Sequence, residues 1–249
     1  MITSVQNDRV KSWQKLKKRK VREETNCFLV EGYHMIEEAL KSDWKVKEVI
    51  LGEGAEIPVW IKDLDTYFVS NHILKSITDT KTPQGIAAVV EMNQPEKLQF
   101  QKLLLVDKVQ DPGNLGTMVR TADAAGFDAV YVGSGSVDIF NEKVLRSTQG
   151  SLFHLPIFQE NLIPVIEQLK TDGFAIWAST LEDAKPYSSL TVPAKAALVV
   201  GNEGAGIAGD IIERATDKVQ IPIWGKAESL NVSVAAGILI YHLAHLFEK

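Results

Sequence analysis

The sequence predicts an α/β protein in which a small N-terminal α/β unit precedes a larger domain built on a parallel β-sheet. After residue 100, short apolar runs that barely alternate with polar residues are separated by stretches of helical periodicity. Strands that helices bury on both faces have this pattern. Before residue 92, shorter strand-like and helix-like segments alternate, and the polar, proline-containing stretch 92–101 indicates a linker. We therefore predict domains over 1–95 and 100–249.

Hydrophobic periodicity and turn residues place the individual elements. A polar helix over 3–23 comes first, with Val5, Val10, Trp13 and Leu16 as a thin apolar stripe, and the folded part is expected to begin near Cys27. The N-terminal unit is then predicted to contain strands at 27–30, 46–51, 67–69 and 85–91 and helices at 32–41, 58–63 and 71–77. The larger domain is predicted to contain strands at 103–106, 129–132, 174–178, 196–200 and 219–223.

The composition is that of a globular protein with a buried core, since 45% of the residues are hydrophobic and 24% are charged. Cys27 is the only cysteine, which excludes an intrachain disulfide and a cysteine-based zinc site and fits a cytoplasmic location. The N-terminus lacks the apolar segment of a signal peptide. Residues 230–247 contain no Asp, Glu, Lys or Arg, but their small and polar members favour a helix buried in protein or at a subunit interface over a membrane span.

Charge is distributed unevenly along the chain. Residues 1–22 carry eight basic side chains and one acidic one, a net of +7, whereas the whole chain carries −5, so the remainder carries −12. A basic segment on an acidic body is a candidate contact for a phosphate backbone. The alternative is an ordinary solvated helix face, and the segment by itself does not distinguish the two.

Three polar clusters lie far apart in the last 150 residues, and each ends an apolar, strand-like run. They are 114–120, 201–206 and 229–231, rich in Asn, Arg, Glu, Ser and Gly. Proteins carry binding and catalytic groups at strand ends and in the loops that follow them. We therefore predict that the three clusters form one site.

The first cluster places an arginine on a helix. Residues 111–114, Asp-Pro-Gly-Asn, are a turn signal that opens a helix running to about Ala125. Gly116 and Thr117 precede Arg120 by four and three residues, so the three share one helix face. Small neighbours leave room for a bulky anion such as a nucleic-acid phosphate. The alternative is a surface arginine held in an ion pair.

Taken together, the clusters resemble the three motifs of the SpoU family of RNA ribose 2′-O-methyltransferases, within the SPOUT class. The matching segments are Asn114-x-Gly116-x-x-x-Arg120, Val199-Val-Gly-Asn-Glu203-Gly-x-Gly206, and Ile221-Pro-Ile followed by Glu228-Ser-Leu-Asn-Val-Ser-Val-Ala235. Residues 27–91, with Phe28-Leu-Val-Glu-Gly32 and Thr82-Pro-Gln-Gly85, are similar to the substrate-binding domain that often precedes this catalytic domain and that itself resembles a ribosomal RNA-binding protein.

The resemblance implies a fold, a cofactor and a set of site residues. The fold is a SPOUT-type parallel sheet whose C-terminal segment threads a deep trefoil knot, in a homodimer that needs no metal, with helix 230–247 buried in the knot and the interface. S-adenosyl-L-methionine is the implied methyl donor, held by Thr180, Val200, Gly201, Ile221, Ile223 and Leu230. The implied catalytic residues are Arg120, supported by Asn114, Glu203, Ser229 and Asn231.

The implied reaction requires the ribose hydroxyl to lose a proton as it attacks a sulfonium methyl in line, so positioning should supply much of the rate. Arginine is a poor base because its pKa exceeds about 12. Arg120 is therefore expected to orient the phosphate and the hydroxyl, with direct proton abstraction as the alternative, and Glu203 is expected to fix the asparagine and loop geometry.

The expected substrate is RNA, ribosomal rather than transfer RNA. The alternative function is an RNA-binding protein that keeps the fold without activity, which the intact motifs disfavour.

Overall fold

The computed structural model describes residues 1–80, 82–96 and 99–244, and the chain forms two compact units. In chain order the helices are α1 (Asp8–Lys15), α2 (Arg19–Thr25), α3 (Tyr33–Lys41), α4 (Asn71–Ile77), α5 (Pro112–Ala124), α6 (Glu142–Thr148), α7 (Leu162–Thr171), α8 (Gly209–Ile212) and α9 (Val232–Ala244). The strands are β1 (Cys27–Glu31), β2 (Val46–Gly52), β3 (Thr66–Val69), β4 (Ile86–Glu91), β5 (Lys102–Val106), β6 (Ala129–Gly133), β7 (Ile157–Glu160), β8 (Ala175–Ser179), β9 (Lys185–Pro186), β10 (Ala196–Val200) and β11 (Asp217–Gln220).

The first unit comprises Met1–Gln94 together with Phe140–Phe153. Its sheet has the order β1-β4-β2-β3, with β4 antiparallel to both of its neighbours and β3 parallel to β2. The segment 140–153, which contains α6, belongs to this unit because Phe140 and Phe153 contact the buried ring of Phe28. The predicted boundaries of 1–95 and 100–249 differ from this division at that segment.

The N-terminal segment is part of the first unit, so the prediction that the folded part of the chain begins near Cys27 is wrong. The single helix predicted over 3–23 is also wrong, because α1 and α2 are separated by a break at 16–18. The guanidinium of Arg22 is buried and donates to the carbonyls of Leu16 and Lys17, which satisfies the carbonyls freed by the break. Val10, Trp13 and Leu16 are buried in one core cluster with residues of β2 and α4.

Most of the basic side chains in this segment have partners within the unit. Five of them form ion pairs with carboxylates: Arg9 with Glu48, Lys11 with Asp8, Lys17 with Asp79, Arg19 with Glu23, and Lys20 with Glu24. Arg22 is buried as well, so contacts within the unit account for six of the eight basic residues. That residues 1–22 contact RNA stays a prediction.

The second unit contains the parallel sheet, and the α/β fold class is confirmed. Within the described part of the chain its sheet has the order β7-β6-β5-β10-β8-β11-β9, with every neighbouring pair parallel. Strands β5, β6 and β10 are buried along their whole length, as their uninterrupted apolar runs predict. The edge strands β7 and β9 were not predicted, because they are short and partly exposed.

The strand predicted over 219–223 is displaced, because β11 ends at Gln220. Residues 221–223 leave the sheet at Pro222, whose nitrogen cannot donate to a strand ladder. Ile221 and Ile223 line a cavity instead.

Helix α9 follows and packs against α5, β5 and β10. It buries Ala236, Leu239, Ile240 and Leu243, whereas Val234, Ile238 and Tyr241 are exposed on another face. The predicted helix over 230–247 begins at Val232, and its residues 245–247 lie outside the described residues. None of the helices within residues 1–80, 82–96 and 99–244 has the length and hydropathy of a transmembrane span.

Candidate active site

The three polar clusters meet at the carboxyl edge of the second unit's sheet. The first follows β5, the second follows β10, and the third precedes α9. Strands β5 and β10 are direct neighbours in the sheet, so the loops that leave them start side by side. This is the edge at which open parallel sheets bind ligands.

A chain of hydrogen bonds joins the clusters. The amide of Asn114 donates to Glu203 (3.0 Å from Nδ2 to Oε1), and the amide of Asn231 donates to Asn114 (3.1 Å from Nδ2 to Oδ1). The side-chain oxygen Oδ1 of Asn231 in turn accepts from the backbone N–H and the hydroxyl of Ser233, at 2.9 and 2.6 Å, at the first turn of α9. Three of the five predicted catalytic residues are therefore in direct contact.

The loop that carries Glu203 is closed on itself. Asn202 and Gly206 exchange both backbone hydrogen bonds, at 2.9 and 3.0 Å. A Cβ atom on Gly201 would overlap the backbone of Gly206 and Ile207, so only glycine fits there. The Asn202 side chain donates to the carbonyl of Lys108 and accepts from the N–H groups of Gly204 and Ala205, which ties this loop to the one that follows β5.

Residues 111–114 are the first turn of α5. Asp111 is the N-cap, and its carboxylate accepts from the N–H of Asn114 at 2.9 Å, with Pro112 at the first helical position. Asp followed by Pro is a helix-start signal. The residues predicted as a turn are thus the start of α5. The N-cap hydrogen bond from Asn114 to Asp111 fixes the position of Asn114 in the first helical turn.

Glu203 serves as an acceptor for the loop before α5. Its carboxylate accepts from the backbone N–H groups of Gln110 and Asp111, at 3.1 and 3.0 Å, in addition to Asn114. Partial burial by itself would raise the pKa of Glu203, but the hydrogen bonds from Asn114, Asp111 and Gln110 outweigh it and lower the pKa overall. A carboxylate with a lowered pKa that is fully used as an acceptor is a poor general base. Sequence reasoning assigned no role to Gln110, which joins the loops through its backbone N–H, or to Asn202, whose side chain does so from within the second motif.

We expect Glu203→Gln to lower the melting temperature at pH 7, because a neutral amide accepts these hydrogen bonds less strongly. Because the folded pKa of Glu203 is lowered, its contribution is present above the unfolded value of about 4.3 and is lost as the pH falls through the folded value. Thermal unfolding from pH 7 to pH 3 should show the difference between variant and wild type shrinking with acid. The control is Glu213→Gln, since the Glu213 side chain forms no hydrogen bond or ion pair in the part described. A difference independent of pH would contradict the role of the carboxylate.

A cavity of about 680 Å³ lies beside this hydrogen-bonded edge. All six residues predicted to hold the cofactor line it: Thr180, Val200, Gly201, Ile221, Ile223 and Leu230. Glu203 and Ser229 also line it. Its volume is within the range of small-molecule sites, about 300 to 1,000 Å³. The cavity therefore combines backbone groups of a glycine-rich loop with apolar side chains, a surface that suits a nucleoside.

Arg120 and Ser229 have no partner among the residues that the structure describes. Arg120 lies on α5 six residues after Asn114, and its exposed side chain forms neither a hydrogen bond nor an ion pair with the described residues. The ion-pair interpretation of Arg120 therefore has no support. Ser229 is exposed at the cavity and likewise forms no hydrogen bond. Both side chains are available to a ligand.

Residues 101–241 match the SpoU rRNA Methylase family, and residues 7–88 match the MRM3-like substrate binding domain. The chain belongs to the SpoU rRNA methylase family. The resemblance stated above is thereby confirmed, and the match that begins at residue 7 includes α1 and α2 in the substrate-binding domain.

This SpoU methylase is similar to curated relatives and to solved structures of other proteins along nearly its whole length. It is 47% identical to the 23S rRNA (guanosine(2553)-2′-O)-methyltransferase of Bacillus subtilis, over 97% of this chain and 98% of the relative. It superposes on an AdoMet-bound rRNA methyltransferase from Sinorhizobium meliloti with a TM-score of 0.89, at 28% identity, covering 100% of this chain and 98% of that one. The AdoMet complex of the SpoU methyltransferase AviRb from Streptomyces viridochromogenes gives a TM-score of 0.85 at 26% identity, with 97% and 98% covered.

Proposed function

We propose that this SpoU methylase transfers a methyl group from S-adenosylmethionine to the ribose 2′-hydroxyl of a guanosine in 23S ribosomal RNA, the counterpart of the nucleotide named for its Bacillus relative. The observation that carries the proposal is the joining of the three motif clusters into one edge beside a cavity of nucleoside size. Because ribosomal RNA is a cytoplasmic substrate, we place the enzyme in the cytoplasm.

The cavity residues fit the cofactor. Val200, Ile221, Ile223 and Leu230 offer apolar surface to an adenine, and the closed loop at 201–206 offers backbone groups without side-chain bulk. S-adenosylmethionine bound there would supply an electrophilic methyl group on a sulfonium. The chain's own residues then have to bring the ribose oxygen into line and receive or release its proton.

Arg120 suits the substrate side of this reaction. Its guanidinium has five N–H donors and no acceptor, so it binds phosphate and the developing alkoxide rather than removing the proton. Asn114, Glu203 and Asn231 serve as a positioning network that fixes the start of α5, and with it the helix that carries Arg120. The hydroxyl of Ser229, exposed at the cavity, can relay the ribose proton to water, releasing its own proton as it takes the one from the ribose.

Leu230→Trp is expected to weaken S-adenosylmethionine binding by at least about tenfold, because an indole in place of Leu230 takes up part of the cavity that this residue lines. Titration calorimetry with the cofactor measures the effect. Ile57→Trp, at an exposed position of the first unit, is the control and should bind normally. An unchanged affinity in Leu230→Trp would place the cofactor elsewhere.

We also propose that the enzyme is a homodimer that buries one face of α9. Val234, Ile238 and Tyr241 recur at helical spacing on that face and are 51, 36 and 56% exposed. A row of exposed apolar side chains on a helix indicates a protein contact. The row begins at Val234, within the third motif segment, so a second copy there would lie next to the candidate sites of both copies.

Ile238→Asp is expected to convert the dimer to a monomer, since a dimer interface would have to bury two unpaired carboxylates. Sedimentation velocity at micromolar concentration gives the mass. Val59→Asp replaces a residue that is 79% exposed in the first unit, and it should sediment like wild type. A wild-type monomer that retains activity would refute the dimer.

The decisive test of the function is methyl transfer to a transcript of 23S RNA, followed by mapping of the ribose-methylated nucleotide. We expect one guanosine to be modified, in the presence of S-adenosylmethionine alone. Binding without methyl transfer would support the inactive RNA-binding alternative, and modification of transfer RNA alone would overturn the ribosomal assignment.

A further inference from the structure

Residues 221–230 connect β11 to α9 and carry one conspicuous side chain. Trp224 is 93% exposed, although tryptophan is among the most buried residue types on average. No backbone or side-chain hydrogen bond holds residues 221–230 to the rest of the described chain. The polar backbone groups of this segment are therefore open to a ligand that supplies the missing contacts.

We infer that Trp224 is a substrate-positioning residue that stacks on a nucleobase of the RNA beside the methylated nucleotide. The inference rests on the proposed function. Ile223 and Glu228, on either side of Trp224 in the chain, both line the cavity proposed for the cofactor. A nucleotide whose ribose is methylated there has to approach this segment, and its neighbours in the RNA pass within reach of the indole.

The position of the indole favours RNA over the cofactor. Trp224 does not line the cavity, although Ile223 directly before it does, and an exposed fraction of 93% means that the ring stands outside the cavity. An adenine bound among Val200, Ile221 and Leu230 would leave that ring uncovered. A base in a strand that crosses the mouth of the cavity would cover it.

The cation nearest to Trp224 in the chain favours RNA over a second copy, and Glu228, the other charged residue of the segment, lines the cavity instead. Lys226 is exposed two residues after Trp224 and forms no ion pair in the described part. An exposed indole two residues from an exposed lysine suits a single strand, whose bases stack on the ring while its phosphates pair with the cation. A dimer contact would instead be served by the apolar row of Val234, Ile238 and Tyr241 on α9.

The test compares Trp224→Ala, Trp224→Leu and Trp224→Phe with wild type on the 23S transcript, by methyl-transfer kinetics and filter binding. Loss of one stacked base should raise the Kd and KM for RNA by about 5-fold to 150-fold in the Ala and Leu variants, with kcat nearly unchanged. Trp224→Phe, which keeps an aromatic face, should stay within about threefold of wild type. Leucine separates stacking from simple apolar contact, since it keeps an apolar side chain without the ring.

Fluorescence reports the contact directly. Adding the transcript should quench an emission component that Trp224→Phe lacks, whereas S-adenosylhomocysteine alone should leave it unchanged. Wild-type RNA affinity in Trp224→Leu would overturn the inference. A change confined to S-adenosylhomocysteine affinity would assign the ring to the cofactor instead, and a change in sedimentation would assign it to a second copy.

The two proposals fail in different ways. If wild type methylates the transcript and the Trp224 variants do so with an unchanged KM, only the stacking role is lost. If wild type neither binds nor methylates it, the proposed function fails, and the inference that rests on it fails too.

Discussion

Arg120→Ala is expected to lower kcat for methyl transfer by about 100-fold to 1,000-fold, while the affinity for S-adenosylmethionine stays within about twofold of wild type. Loss of a single preorganised donor at a developing oxyanion costs this much in other enzymes. The cofactor affinity should survive because Arg120 projects from α5 and does not line the cavity. Single-turnover transfer from labelled cofactor and calorimetry on the same samples give the two quantities.

Two further variants sharpen the assignment of Arg120. Arg120→Lys keeps the charge but loses the planar donor fork, so it should recover RNA affinity more than kcat. Arg214→Ala removes an arginine of the same unit that pairs with Glu167, and it should leave turnover unchanged. Wild-type turnover in Arg120→Ala would exclude any role for this residue in the reaction.

Gly201→Ala is expected to reduce cofactor affinity by more than tenfold and to destabilise the second unit by about 1–3 kcal/mol. The added methyl would overlap the backbone of Gly206 and Ile207, which cannot move without opening the loop closed by Asn202 and Gly206. Overpacking against a fixed backbone costs about this much. Calorimetry and urea unfolding measure the two effects.

Gly204→Ala is the matched control for this prediction. Gly204 lies in the same loop and lines the same cavity, but the nearest atom to an added Cβ is Asn202 Oδ1 at 3.7 Å, an ordinary contact. The Gly204 variant should therefore bind cofactor with near wild-type affinity. Equal losses of cofactor affinity in both variants would mean that any added side chain blocks the cavity. Wild-type affinity in both would mean that the loop backbone moves to make room for the Gly201→Ala methyl group.

The sequence predicted the features that local chemistry encodes. Buried strands such as β10 appear as uninterrupted apolar runs, and the polar clusters after β5 and β10 stand at strand ends, so the fold class and the family could be predicted from them. The roles assigned to Arg120 and its partners stay predictions, as does the knot implied by the resemblance.

What could not be predicted depends on contacts between distant residues. Val10, Trp13 and Leu16 form only a thin apolar stripe in a strongly basic segment, a pattern that a solvated helix also has, yet Trp13 is 2% exposed because β2 and α4 pack over it. Phe140 and Phe153 belong to the first unit through an aromatic cluster with Phe28, which lies more than 100 positions earlier in the chain. No local pattern contains that information.

The hydrogen-bond chain from Glu203 through Asn114 to Asn231 has a consequence for how the enzyme acquires activity. Its two links join residues that are 89 and 117 positions apart in the chain. Closing such long loops has an entropic cost that must be met before the contacts form, and contacts of this kind slow folding. The edge of the sheet therefore has no partly working form: it is complete only once β5, β10 and α9 are all in place. Cofactor binding during refolding would accordingly mark the last step of assembly of the second unit, and a chain arrested earlier would not retain S-adenosylmethionine.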